Sequence, residues 1–141
     1  MATRMIAPDL VDDTAHGPRL VGGRNLADGS FVFPCPTGGE AARYRRVRLR
    51  PDGKLWSWTV QRFRPKSPPY AGPEKEGDFL PYMIGYVELE GEVIVESRLV
   101  GMASADPVIG MPLVLTLIPF RRDEDGVDVM TYAFRPAGDA P

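Results

Sequence analysis

The chain has 141 residues, a formal net charge of −2, and 15 each of Gly and Pro. That length suits one compact domain with a small appendage, and the turn-rich composition points away from a helical bundle. The absence of a basic surplus argues against a dedicated nucleic-acid binder. Cys35 is the lone cysteine, so no intrachain disulfide can form and a reducing, cytoplasmic setting is expected. The segment Met1 to Asp9 lacks the apolar region of a signal peptide, and no apolar run approaches the ~20 residues that cross a bilayer.

Residues 1–19 are polar and mixed, with Pro8, Gly17 and Pro18, and read as a flexible terminus. His16, the sole histidine, sits there in a Gly-Pro context with no cysteine or second histidine near it. Residues 20–40 read as a small hairpin: Asp28-Gly29 is a strong two-residue turn signal between short apolar runs. Its knuckle positions are Asn25, Asp28, Cys35 and Gly38. A structural zinc takes four Cys or His ligands, so the expectation is a ribbon-like hairpin without metal.

The stretch 41–136 reads as a barrel. In Arg43 to Arg50, Val47 and Leu49 share one face while Arg46, Arg48 and Arg50 share the other, the period of two of a half-buried strand. Pro51-Asp52-Gly53 is a turn signal. The following strand is expected to put Trp56, Trp58 and Val60 on one face and Leu55, Ser57, Thr59 and Phe63 on the other. Residues 64–80 hold too many prolines for a helix interior or a central strand and read as a long loop packed on something. Tyr82–Glu90 alternates with Met83, Gly85, Val87 and Leu89 inward. Glu90-Gly91 turns into Glu92–Leu99, with Val93, Val95 and Leu99 inward and Glu92, Glu96 and Arg98 outward. Leu113–Phe120 is apolar at nearly every position and reads as the most buried strand. A last strand spans Val127–Phe134, and 137–141 is a tail.

Short strands with this spacing predict an all-β, OB-type barrel. One histidine and one cysteine supply no Ser-His-Asp, Cys-His or metal cluster, so no catalytic residue is assigned. The paired carboxylates Asp12/Asp13 and Glu88/Glu90 read as solvated charge. Single-stranded nucleic-acid binding is the alternative reading, because Arg43 to Lys66 interleaves cations with Tyr44, Trp56, Trp58 and Phe63.

The segments Leu20–Arg24, Phe33-Pro34-Cys35-Pro36, Gly53-(x)3-Ser57-Trp58-Thr59-Val60, Pro81-Tyr82-(x)4-Val87-Glu88-Leu89-Glu90-Gly91, Val108-Ile109-Gly110-Met111-Pro112-Leu113 and Phe134-Arg135-Pro136 occur in this order. Together they resemble the acyl-CoA-associated OB-fold family, domain of unknown function 35, over residues 20–136. The resemblance implies an N-terminal zinc ribbon, from which this chain departs by lacking three of four ligand cysteines. It further implies an accessory, non-catalytic subunit in a hetero-oligomer with a thiolase-like or lipid-transfer-protein-like chain. In that setting the small subunit stabilises its partner and helps enclose coenzyme A or an acyl-CoA thioester. Arg62, Arg64 and Lys66 are the candidate cations for CoA phosphate, and Phe63, Tyr70 and Tyr82 the candidate apolar wall. The Trp56/Trp58 strand and the hairpin are the candidates for protein contact.

Overall fold

The structure is a computed structural model that describes residues 3–5, 7, 9–62, 81–103, 105–122 and 124–137. Five strands form a closed barrel: β6 (Asp52–Gln61), β7 (Tyr82–Glu88), β8 (Ile94–Leu99), β9 (Pro112–Arg122) and β10 (Asp128–Pro136). β6 pairs with β7 and β7 with β8, all antiparallel. β8 then runs parallel to β10, β10 antiparallel to β9, and β9 returns antiparallel to β6 to close the ring. This is the connectivity of an OB-fold, and closure leaves the barrel no unpaired edge.

Alternation along each strand fills the interior. Met83, Val87 and Leu89 from the β7 segment and Val95 and Leu99 from β8 are buried together with Leu55, Leu113, Leu115 and Phe134. The inward face expected for Tyr82–Glu90 is therefore the observed one. Each such leucine withdrawn from water stabilises the fold by roughly 1.5–3 kcal/mol. Gly85 is inward as well, because a Cβ there would lie 2.7 Å from the Leu99 side chain.

The parallel joint between β8 and β10 is short, registering only Ala133 with Arg98 and Phe134 with Leu99. Towards its N-terminus β10 pairs instead with β1 (Thr3–Met5), from Thr3 with Asp128 to Met5 with Met130. Tyr132 spans the opening between β8 and β10, its hydroxyl donating to the Glu96 carbonyl at 3.0 Å.

A second sheet is centred on β3 (Gly17–Asn25), which pairs antiparallel with β2 (Val11–Thr14), β4 (Phe31–Val32) and β5 (Tyr44–Arg48). A 3₁₀ helix, Gly38–Arg43, leads into β5. Val11, Leu20 and Leu49 belong to the same buried cluster as the barrel residues, so the two sheets share one core. Phe33 meets Tyr132 edge to face, with centroids 6.0 Å apart, which ties the hairpin to β10. Asp12 accepts from Arg46 at 2.6 Å and from Arg48 at 3.0 Å, clasping β2 to β5 across β3.

Four expectations change. Residues 1–19, read as a flexible terminus, contribute β1, β2 and the start of β3, because pairing with β10 and β3 satisfies their backbone groups. The Arg43–Arg50 strand, read as the opening of the barrel, is β5 and pairs with β3. The face assignment of β6 fails at Trp56, where the register with β7 shifts between Leu55 and Ser57. This bulge adds one residue, so Leu55 is buried while Trp56 is 56% exposed, and Trp58 and Val60 still pack on the core. Leu113–Phe120, read as the most buried strand, is fully buried only at Leu113 and Leu115, since its remaining apolar side chains fall on the outer surface or at the barrel end.

Candidate functional site

Tyr82, Ile84 and Tyr86 project outward from β7, opposite its buried residues. On β8 the outward positions are Ile94, Glu96 and Arg98. The register sets Ile84 against Arg98 and Tyr86 against Glu96, so Arg98 is a diagonal neighbour of Tyr82, within reach of a long side chain. Its guanidinium carbon lies 3.8 Å from the Tyr82 ring centroid and 5.7 Å from that of Phe120 on β9. Among the described residues, Arg98 has no carboxylate or carbonyl within hydrogen-bond distance of its side chain. The two aromatic faces hold it.

Beside this stack lies a cavity of about 210 Å³, walled by Ile84, Glu96, Phe120, Thr131 and Tyr132 along with the stack itself. Glu96 accepts from the Tyr86 hydroxyl at 2.9 Å, and that bond raises the Tyr86 phenol above its ordinary pKa. Burial, reinforced by the Glu96 charge, pushes the Tyr132 phenol up, so both rings remain neutral hydrogen-bond donors at ordinary pH.

On the other side of Tyr82 is a second cavity of about 400 Å³, with Val60, Arg62, Met83, Leu99 and Met102 in its lining. It offers a mostly apolar wall and one exposed cation. Of the residues expected to hold a CoA group, Arg62 and Tyr82 come together here. Phe63, Arg64, Lys66 and Tyr70, and the loop that carries them, lie outside the described residues. Arg98, Phe120 and Tyr132 were not singled out as site residues. Alternation does place Arg98 on an exposed face, but which rings it meets depends on the order of strands around the barrel.

A separate surface forms around the bulge. Leu55 exchanges backbone hydrogen bonds with Gly110 at 2.7 Å and Met111 at 3.0 Å, which brings the exposed Val108 and Ile109 alongside Trp56. With Ile94 and Tyr86 these are the large exposed apolar side chains of the barrel's described residues. In the strand register Glu88 lies opposite both Lys54 and Ile94, so one acid and one cation flank the patch.

Two of the hairpin knuckle positions, Asn25 and Asp28, are engaged in the hydrogen bonds of the turn. Asn25 Oδ1 accepts from the Ala27 and Asp28 amides at 2.8 and 3.2 Å, and Asp28 Oδ1 accepts from the Ser30 amide and hydroxyl at 2.9 and 2.7 Å. The loop between β3 and β4 is thus longer than a two-residue turn and is closed by side-chain hydrogen bonds. Those bonds, the Ser30 amide first, hold the Asp28 carboxyl below its usual range. Gly38 has no side chain to offer, and no group of three or more His, Cys, Asp or Glu among the described residues is arranged to hold a metal. His16 is exposed in the β2–β3 turn, and Cys35 is half-buried in the hairpin; neither side chain is paired with a nucleophile or base among the described residues.

The profile of the ChsH2 C-terminal OB-fold domain matches residues 46–117, just over half of the chain. A DUF35 domain-containing scaffold protein of Methanocaldococcus jannaschii is 28% identical over 122 residues, covering 83% of this chain and 81% of that protein. Among solved structures, the Ltp2-ChsH2(DUF35) aldolase is similar with a TM-score of 0.58 and 28% identity, over 85% of this chain and 86% of that one. The matched residues take in β6, β7 and β8 and the start of β9, which carry much of the lining around Tyr82, but not Phe120, Thr131 or Tyr132. This chain belongs to the ChsH2 C-terminal OB-fold domain family, the OB-fold proteins of the DUF35 group.

Proposed function

We propose that this protein is the accessory subunit of a thiolase-superfamily complex, of thiolase or lipid-transfer-like aldolase type, acting on acyl-CoA thioesters. The observation that carries this reading is its likeness, across most of both chains, to the ChsH2(DUF35) component of an aldolase. The scaffold role of the archaeal relative supports it. So does the lack of a self-sufficient catalytic set among the described residues, which assigns the bond-making chemistry to the partner chain.

Coenzyme A or its acyl thioester is the ligand we assign to the cavity on the Arg62 side of Tyr82. Met83, Leu99 and Met102 suit an acyl or pantetheine arm, and Arg62 supplies a cation for phosphate. Phe63, Arg64, Lys66 and Tyr70 complete the proposed set. The hairpin carries no zinc in this reading.

Co-expression with the thiolase-like chain of the source organism, followed by affinity purification and size-exclusion chromatography, tests the proposal. A stoichiometric complex whose acyl-CoA activity needs both chains is expected. A monomer with full acyl-CoA activity by itself would overturn it.

A further inference from the structure

The cavity at Arg98 is chemically unlike the one proposed for CoA. Arg46 and Arg48 share Asp12, Arg50 pairs with Asp52, and Arg122 pairs with Asp128. Arg98 is half-buried, yet its five N–H donors meet no acceptor among the described residues, and two rings fix its plane at the cavity wall. A guanidinium stacked on aromatic faces keeps its edge free for a planar anion and loses little freedom when it binds one.

The rest of the lining selects among anions. Ile84, Phe120 and Tyr132 present apolar surface and Thr131 is the small polar residue of the wall, while the buried Ser97 hydroxyl donates to the Arg98 carbonyl at 3.0 Å. Glu96 lines the same space, its carboxylate accepting from Tyr86 at 2.9 Å, so among the described residues the lining includes one cationic and one anionic residue. A phosphate dianion would meet Glu96 repulsion with one cation to offset it. A monocarboxylate needs one cation, which it can engage through two parallel hydrogen bonds. The volume, about 210 Å³, falls below the roughly 300 Å³ at which drug-sized sites begin, so the occupant is small.

We infer that the cavity between β7, β8 and β10 is a binding site for a small monocarboxylic acid with an apolar or aromatic body, its carboxylate held by Arg98 and its body against Phe120, Ile84 and Tyr132. This site lies on the opposite side of Tyr82 from the proposed CoA cavity and stands whether or not CoA binds this chain.

Titration of the isotopically labelled protein with benzoate, followed by NMR, tests the inference, with inorganic phosphate and benzyl alcohol as parallel probes. Benzoate is expected to shift the resonances of Ile84, Ser97 and Thr131 with a Kd on the order of 1 mM. Benzyl alcohol and phosphate are expected to bind at least about tenfold more weakly, the first for want of charge and the second for its repulsion by Glu96. Arg98→Met should reduce benzoate affinity by about tenfold or more, and Arg98→Lys, which keeps the charge and loses the fork, should fall between. No benzoate shifts at these residues, equal binding of benzyl alcohol or phosphate, or unchanged affinity in a folded Arg98→Met protein would each overturn it. The three probes on the unaltered protein decide the matter even where a variant fails to fold.

Discussion

The guanidinium of Arg98 lies 3.8 Å from the ring centroid of Tyr82, one strand away and one diagonal step along the sheet. That contact makes Tyr82 a partition: Arg98 and Glu96 line the cavity on one side, Arg62 and two methionines the cavity on the other. One aromatic ring thus borders two surfaces of different chemistry: the Arg98 cavity on the outer face of β7 and β8, and the Arg62 cavity beside the inward-facing Met83 and Leu99.

Closure of the barrel depends on glycine at residue 53. A Cβ there would sit 2.7 Å from the Glu88 carbonyl oxygen and 2.7 Å from the Val87 side chain, and the carbonyl belongs to the strand that must pair with β6. Gly53→Ala is expected to destabilise the protein by about 1–3 kcal/mol in urea unfolding. Gly85→Ala should also be destabilising, because a Cβ there would lie 2.7–2.8 Å from Cδ2, Cδ1 and Cγ of the buried Leu99, which would have to repack.

Tyr132 reinforces the β8–β10 joint, which the backbone registers over only two residue pairs. Tyr132→Phe keeps the ring against Phe33 and removes the hydroxyl that donates to the Glu96 carbonyl. A loss of about 0.5–1.5 kcal/mol in unfolding free energy is expected, with faster hydrogen exchange at the β8–β10 joint.

Acid sensitivity should concentrate at the Asp12 clasp. Hydrogen bonds from Arg46 and then Arg48 hold the Asp12 carboxyl below its ordinary value. A depressed folded-state pKa means that the stabilisation is present above the unfolded value of about 4 and is lost as pH falls through the folded one. Both arginines are more than half exposed, so screening limits the effect to about 1 kcal/mol. Asp12→Asn should therefore melt lower than the unaltered protein at pH 6, and the gap should close as pH drops from about 5 towards 2.

The hairpin turn should be indifferent to chelators. EDTA is expected to leave the melting temperature unchanged and elemental analysis to find no stoichiometric zinc, whereas Asn25→Ala, which strips two amides of their acceptor, should lower it. A melting point that falls on chelation would assign a metal to the turn.

Trp56 offers a test of assembly separate from stability. Being 56% exposed, it should tolerate Trp56→Ala in the isolated chain with a change within about 0.5 kcal/mol. In the proposed complex the same substitution should weaken association by at least about tenfold, as measured by calorimetry, because a truncated tryptophan at an interface centre removes a large packed surface.

Much of the barrel is written locally. Period-two alternation in Tyr82–Glu90 and Glu92–Leu99, together with turn signals at Gly53 and Gly91, is enough to define β7, β8 and their buried faces, since a strand with one buried face repeats every second residue. The order of motifs along residues 20–136 carried the family. The bulge at Trp56 was not legible, because an inserted residue changes which side chains face the core without altering the apolar pattern. Nor was the pairing of β1 with the distant β10, or of β2 and β5 with β3, because these polar strands carry little apolar pattern and are held by backbone bonds to their partners. The candidate sites divide in the same way. The ligand that the resemblance implies, and a position beside the long loop, pointed to Tyr82 and Arg62, but the meeting of Arg98 with Tyr82 and Phe120 required β7, β8 and β9 to be brought around one barrel, and only tertiary closure sets that register.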